Sequence, residues 1–182
     1  MKNKANYVLT KITGGELNNR TIKSPELSDT HPMGSRERLA LMNMIGPDIK
    51  GASLIDAFAG TGAVGIEAIS RGAAYVVFVE KNHQVAAVLK QNLKELGVSD
   101  KATVIEGDVA KLSLKEKFDF VIADPPYKAI KKIKIKDLNG LKSLAKQKFI
   151  LSHPADFDPH MIDGELSSTR AYAGARLSVF KA

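Results

Sequence analysis

The chain has no cysteine. Disulfides and thiolate metal sites are therefore excluded. His83, His153 and His160 show no metal-ligand spacing, so no metal is expected, and His31 reads as a structural turn residue. No apolar run approaches the ~20 residues that a membrane helix requires. The opening stretch MKNKANYVLTKITGG lacks the long apolar region and small-residue cleavage site of a secretory signal, which points to a cytoplasmic protein with no membrane partner. Internal repeats are absent, and the one biased tract is a lysine run. No apolar interface stripe stands out, so a monomer is expected.

What is present is an ordinary globular composition. With 182 residues, 44% hydrophobic and 26% charged, the chain is the size of one domain with a small appendage and can bury a real core. Its net charge of +7 is unevenly placed. Residues 1–23 carry Lys2, Lys4, Lys11, Arg20 and Lys23 against Glu16, a net +4. Residues 128–148 carry Lys128, Lys131, Lys132, Lys134, Lys136, Lys142, Lys146 and Lys148 against Asp137, a net +7, which leaves −4 on the rest. One lysine run usually does no more than solvate a helix. Two basic segments beside an acidic body are the footprint of a protein that binds a polyanion, and nucleic acid is the expected partner.

The pattern along the chain predicts a short β-hairpin from 7–12 and 20–23 around Gly14-Gly15, then a turn-rich linker over 24–32. A helix is expected from Ser35 to Ile45, with Leu39, Met42 and Ile45 as its apolar stripe and Gly46-Pro47 as its stop. Strands are expected at 53–58, 75–80, 102–107, 118–126 and 148–154, with helices at 63–72, 84–96 and 136–147. The segment 166–180 alternates around Gly174 and reads as a terminal hairpin. Strands that alternate with helices imply a mostly parallel sheet covered on both faces, with ligands along one edge.

Two motifs carry chemistry. Asp56-Ala57-Phe58-Ala59-Gly60-Thr61-Gly62-Ala63-Val64-Gly65 lies where the first of these strands meets its helix, and Glu80 lies at the end of the next strand. The glycines permit a tight turn that a ligand can approach closely, and an acid at Glu80 suits ribose hydroxyls. That arrangement fits either NAD or S-adenosylmethionine. Asp56 would repel a pyrophosphate but suits the ammonium of a methionine, or it simply caps backbone amides. Asp108, just past the third strand, is placed for an adenine amino group or for a plain turn.

The second motif is Asp124-Pro125-Pro126-Tyr127, at the end of the apolar strand FDFVIA. Exocyclic amino groups of bases are poor nucleophiles because the lone pair is delocalised into the ring. Transfer of a methyl group to one therefore needs acceptors that hold its hydrogens. Asp124 and the Pro125 carbonyl supply two, the paired prolines stiffen the loop, and Tyr127 offers a face for stacking. An NAD enzyme has no need for this element, although a rigid turn after a buried strand would also contain it.

These residues together resemble the bacterial 16S ribosomal RNA guanine-N2 methyltransferases of the RsmD type. The resemblance covers nearly the whole length: ITGG…NNRTIKSP, THPMGSRERLALMN, DAFAGTGAVGIEAISRGA, FVE and DPPY. It implies a Rossmann-like class I S-adenosylmethionine-dependent α/β fold, with a mostly parallel seven-stranded sheet, helices on both faces and a terminal antiparallel hairpin. It further implies a catalytic domain over 31–182 and an RNA-docking β-arm over 1–30. The cofactor would be S-adenosylmethionine, bound by Asp56, Gly60, Gly62, Glu80 and Asp108, with Phe58, Lys81 and Val109 beside them. Asp124, Pro125, Pro126 and Tyr127 would handle the guanine amino group in a direct methyl transfer to ribosomal RNA or the small ribosomal subunit. Lys11, Arg20, Lys23, Arg36, Arg38, Lys128, Lys131, Lys132 and Lys134 form the expected RNA-contacting set. Arg36 and Arg38 face different directions on one helix, and one of them is placed to pair with Glu37 or Glu67.

The chain also departs from the family pattern R-P-T-x-[DE]-R-V-[RK]-E. Here the segment is His31-Pro32-Met33-Gly34-Ser35-Arg36-Glu37-Arg38-Leu39, in which Pro32, Arg36 and Arg38 match while His31, Met33 and Ser35 do not. The departure bears on the substrate more than on the cofactor. A DNA adenine-N6 methyltransferase would share the DPPY chemistry but usually carries a larger recognition domain. An NAD-binding oxidoreductase and a non-catalytic RNA-binding protein are the other readings.

Overall fold

The structure, a computed structural model, describes residues 7–25, 33–172 and 175–182. Lys2, Lys4, His31, Pro32, Gly174 and most of the expected linker lie outside the described residues. β1 (Tyr7–Lys11) and β2 (Thr21–Pro25) form the expected arm, paired antiparallel from Tyr7 opposite Pro25 to Lys11 opposite Thr21. The arm is tied into the body: Ile12 and Ile22 are fully buried in the main core.

α1 (Ser35–Ile45) has the expected bounds, and Gly46 ends it with its N–H on the Met42 carbonyl. Its buried face is Arg38, Leu41, Met42 and Ile45, whereas Leu39, expected on the apolar stripe, is 44% exposed. Spacings of three and four from Arg38 put those four residues on one side, and Leu39 falls about 100° away at 3.6 residues per turn. A charged residue thus occupies the core position that the apolar pattern assigned elsewhere.

β3 (Ser53–Asp56), α2 (Ala63–Ser70), β4 (Tyr75–Glu80) and α3 (His83–Leu96) follow in order. Asn82 caps α3 by accepting from Gln84 and Val85 N–H. Next come β5 (Ala102–Glu106), β6 (Phe118–Ala123), the short α4 (Tyr127–Ile130), α5 (Ile135–Ser143), β7 (Ala145–His153), β8 (Leu166–Tyr172) and β9 (Ala175–Lys181). The helix expected to run to 147 stops at Ser143, because Ala145 already pairs with Phe118 of β6. Sheet pairing outweighs the helical preference of the lysine-rich sequence there.

The strand order is β5-β4-β3-β6-β7-β9-β8, parallel from β5 to β7 and antiparallel for the last two. Alternation sends Leu54, Phe120, Ile122, Ile150 and Leu177 to the face covered by α1, α2, α3 and the arm. Ile55, Val121, Phe149, Leu151 and Phe180 go to the face covered by α4 and α5. The chain leaves β3 toward β4 and β5, and then returns to β6 on the other side of β3. That reversal opens a crevice at the carboxyl ends of β3 and β6.

A buried carboxylate joins three of the elements. Glu67 on α2 is fully buried and accepts from the Thr13 N–H (2.9 Å) and hydroxyl (2.8 Å). It also pairs with Arg71 at 2.9 Å and with Arg38 at 3.9 Å. Arg38 donates to the carbonyls of Met33 and Lys11, both at 2.7 Å. Arg38 is 1% exposed, which corrects its place in the expected RNA-contacting set: its charge is committed inside the protein, to Glu67.

Glu67→Gln removes the charge that balances a buried guanidinium and is expected to lower unfolding free energy by about 3–5 kcal/mol. Arg38→Met, which leaves Glu67 with Arg71 and Thr13, should cost less. Urea denaturation of both variants checks the order, and equal losses would show that the charge balance is not the cause.

Candidate active site

The loop from Asp56 to Gly62 joins β3 to α2. Gly60 and Gly62 have φ of 54° and 93°, and a side chain at Gly62 would collide with Leu89 and Ile66. Gly65 packs so closely on the Phe78 ring of β4 that a Cβ would clash with it. Glycine is required at both by shape, as the motif implied.

Glu80, half-buried at the end of β4, grips the loop. One carboxylate oxygen accepts from the Gly60 N–H at 2.9 Å and the other from the Asn82 N–H at 2.7 Å. Each oxygen keeps a lone pair for a hydroxyl. A Cβ at Gly60 or at Gly107 would meet nothing within 4 Å, so there is open space over the loop and after β5. The acid and that space fit a ribose and a purine. Asp108, after β5, accepts from the Ala110 N–H at 3.1 Å and pairs with Lys81 at 2.8 Å. The Lys81 hydrogen bond holds the Asp108 carboxyl below its ordinary pKa. Phe58 and Val109 are half-buried and pack against the second core cluster.

Asp56 is placed differently. It is 1% exposed and accepts from the Gly65 N–H at 2.9 Å, inside the first turn of α2. Of the two roles open to it, the geometry realises the cap. Burial raises its pKa to about 7, the Gly65 bond opposes this, and the charges of Asp124 and Glu80 add to it.

Asp124 stands just past β6, whose neighbour in the sheet is β3 (Asp56 opposite Ile122). Desolvation pushes its pKa up to about 6; a hydrogen bond from Ser152 pulls it back, and Glu37 pushes it further. Pro125 is buried, and its carbonyl accepts no hydrogen bond among the described residues. The Pro126 carbonyl is already used, by Ala129 N–H at 2.7 Å and Ile130 N–H at 3.2 Å. Tyr127, 39% exposed, opens α4 and lies with its hydroxyl 3.4 Å from the Ser152 hydroxyl. Burial raises its pKa, with Asp124 and Glu37 adding to the rise.

Two residues of this cluster escaped the sequence reading. Ser152 on β7 is 2% exposed, its hydroxyl lies 3.4 Å from that of Tyr127, and it lowers the pKa of both Asp124 and Tyr127. Its only signal was a hydroxyl inside the apolar run KFILSHP. Glu37, in the first turn of α1, acts on the charge of both Asp124 and Tyr127. It was read merely as a partner for arginine.

The basic residues fall into two groups. Lys11, Arg20 and Lys23 sit on the arm beside α3, where Lys23 pairs with Glu95 at 2.7 Å and Arg20 donates to the Glu95 carbonyl at 3.2 Å. Lys128, Lys131, Lys132 and Lys134 follow the Asp124–Tyr127 turn and are exposed, with Lys131 paired to Asp156 at 2.6 Å. Arg36 is exposed on α1. Among the described residues, no helix is long and apolar enough to cross a membrane.

The strand order, the glycine loop with its acid on β4, and the D-P-P-Y turn at the β6 end define the class I methyltransferase fold, whose cofactor is S-adenosylmethionine. A family described as conserved hypothetical protein 95 matches residues 10–172. The ribosomal RNA small subunit methyltransferase D of Buchnera aphidicola subsp. Acyrthosiphon pisum (strain APS) is 31% identical over 142 residues, covering 76% of this chain and 74% of that one. Its namesake from Escherichia coli (strain K12) is 33% identical over 119 residues, 65% of this chain and 60% of that one. A hypothetical protein of Thermus thermophilus superposes with a TM-score of 0.75 at 26% identity, covering 95% of this chain and 99% of that one. An RNA methyltransferase from Salinibacter ruber, solved with S-adenosyl-L-homocysteine, shares the fold at a TM-score of 0.66 and 19% identity, covering 83% of this chain and 93% of that one. The chain belongs to the ribosomal RNA small subunit methyltransferase D family.

Asp56 and Asp124 hold a proton more tightly in the folded chain than in the unfolded one. Unfolded aspartates ionise near pH ~4. The contribution of this pair to stability is therefore present below about pH 4 and is lost as pH rises through about 6 for Asp124 and about 7 for Asp56. Asp56→Asn should flatten the dependence of melting temperature on pH between these limits, and an unchanged profile would contradict the assignment.

Proposed function

We propose that this protein is an S-adenosylmethionine-dependent ribosomal RNA methyltransferase that methylates the exocyclic N2 of a guanine in 16S RNA, in the cytoplasm. One observation carries the reading. Asp124, with its raised pKa, stands beside the Pro125 carbonyl, which accepts no hydrogen bond among the described residues, and the half-exposed Tyr127 ring, one strand from the glycine loop. The names of the relatives support the ribosomal substrate.

When bound, S-adenosylmethionine supplies an electrophilic methyl group on a sulfonium. Gly60, Gly62, Glu80 and Asp108 would hold it. Asp124 accepts one amino hydrogen of the guanine and the Pro125 carbonyl the other, which aims the nitrogen lone pair. Tyr127 stacks on the base. As the new nitrogen–carbon bond forms and the carbon–sulfur bond breaks, positive charge grows on the nitrogen, and both acceptors stabilise it. Asp124 then takes the departing proton, a step suited to a carboxylate with pKa about 6. The base must be swung from its stack, at a cost of a few kcal/mol. Arg36, Lys128, Lys132 and Lys134 are exposed toward solvent and would neutralise RNA phosphates.

The test is label transfer from radioactive S-adenosylmethionine to small ribosomal subunits from cells lacking the native activity, with nucleoside analysis. Label in N2-methylguanosine is expected; label in N6-methyladenosine would overturn the acceptor. Asp124→Ala should lower kcat by at least about 100-fold while cofactor binding persists. Activity should fall as pH drops through about 6, where Asp124 takes up its proton. Ser152→Ala removes the bond that opposes this and should move that limb to higher pH.

A further inference from the structure

We propose that Glu37, in the first turn of α1, accepts a hydrogen bond from the N1–H of the target guanine and so selects guanine over bases that lack this donor. The proposal rests on the guanine-N2 methyltransferase reading. The register of α1 on the sheet brings Glu37 to the base. Lys148 on β7 donates to the carbonyls of Met44 at 2.9 Å and Ile45 at 3.3 Å, which ties the last turn of α1 to the amino-terminal half of that strand. From Lys148 the strand climbs about 13 Å to Ser152. The helix spans about 12 Å from Ile45 back to Glu37. The charge of Glu37 acts on Asp124 and Tyr127, so the helix runs back along the strand and its first turn comes level with Ser152.

Strand alternation puts these groups on one face. Ile122 and Ile150 are opposite each other in β6 and β7 and share a core cluster with Leu41, Met42 and Ile45 of α1. Asp124 lies two residues beyond Ile122, and Ser152 two beyond Ile150, so both continue on the α1 side of the sheet. Glu37 is half-buried, and its carboxylate makes no hydrogen bond or ion pair among the described residues. Arg38, the cation that feels its charge, is already taken by Glu67 and by the Met33 and Lys11 carbonyls. Gly34 makes room for the acid: a Cβ there would clash with the Glu37 carboxylate.

The donors of guanine match these acceptors. Its Watson–Crick edge presents N1–H beside the N2 amino group. With Asp124 and the Pro125 carbonyl on the amino hydrogens, N1–H is the donor left over and Glu37 the acceptor left over. Adenine carries a lone pair at N1, and a carboxylate facing it would be left unpaired. A carboxylate on N1–H also pushes electron density into the ring, which favours attack by N2. An acid in the first turn suits the helix dipole as well, but that role is blind to which base is bound.

Two short single-stranded RNAs separate the roles, one with a single guanine and one with 2,6-diaminopurine in its place. Diaminopurine keeps the N2 amino group but has a lone pair at N1. Fluorescence anisotropy in the presence of S-adenosyl-L-homocysteine gives the affinity for each RNA, and label transfer gives the turnover. Wild type should favour the guanine RNA by at least about tenfold. E37Q, whose amide can donate to the bare N1, should bring that ratio to about one or reverse it. G34A, which pushes the carboxylate aside without removing it, should lower the ratio too, and it serves as the test should E37Q not fold. Thermal melting monitors the fold of both. A folded E37Q that keeps the wild-type ratio, even with lower activity on both RNAs, would overturn the proposal, because the acid would then serve only α1. If wild type labels guanine N2 but binds and labels the two RNAs alike, the contact fails and the methyltransferase reading stands. A Glu37-dependent preference in binding with no transfer of label would leave the contact standing and sink that reading.

Discussion

The body of this protein is organised around one buried negative charge. Glu67 sits at the centre of the α2 helix with no exposure to solvent, and its ligands come from three separate parts of the chain: Thr13 after β1, Arg38 on α1 and Arg71 at the end of α2 itself. A desolvated carboxylate tolerates little slack in its partners, so the arm and α1 are both held at fixed positions on the domain. That matters for chemistry because the first turn of α1 carries Glu37, whose charge reaches Asp124 and Tyr127. The network is structural, yet it holds in place the helix whose first turn carries Glu37.

The carboxyl edge of the sheet collects acids in a row: Glu80 at the end of β4, Asp56 at the end of β3 and Asp124 after β6, with Asp56 feeling the charge of both its neighbours. Burial is the main reason that the pKa values of Asp56 and Asp124 are raised, and at Asp56 the charges of Asp124 and Glu80 add to it. A cationic ligand would relieve the repulsion among them.

Much of this was legible in the sequence, for identifiable reasons. The stretches VVFV of β4 and FVIA of β6 are buried on both faces, and their unbroken apolar runs show it directly. The glycine loop was readable because turn geometry restricts residue type. Legibility failed where tertiary partners decide. Arg38 looks like a surface cation until Glu67 is placed opposite it, and Leu39 looks like core until the helix is rotated to bury that pair. The end of α5 was misread because nothing local announces that Ala145 pairs with β6. Ser152 could not be singled out, since its importance lies in contacts with residues 25 and more positions away.

The bond from the Gly60 amide to Glu80 has a thermodynamic consequence. The acid that would meet the ribose also fixes the loop that surrounds it, and does so with no ligand involved. The loop's conformational entropy is thus lost during folding rather than during ligand capture. Binding to such a pocket should proceed with little ordering of the chain, and its heat-capacity change should reflect the surface covered rather than a loop closing.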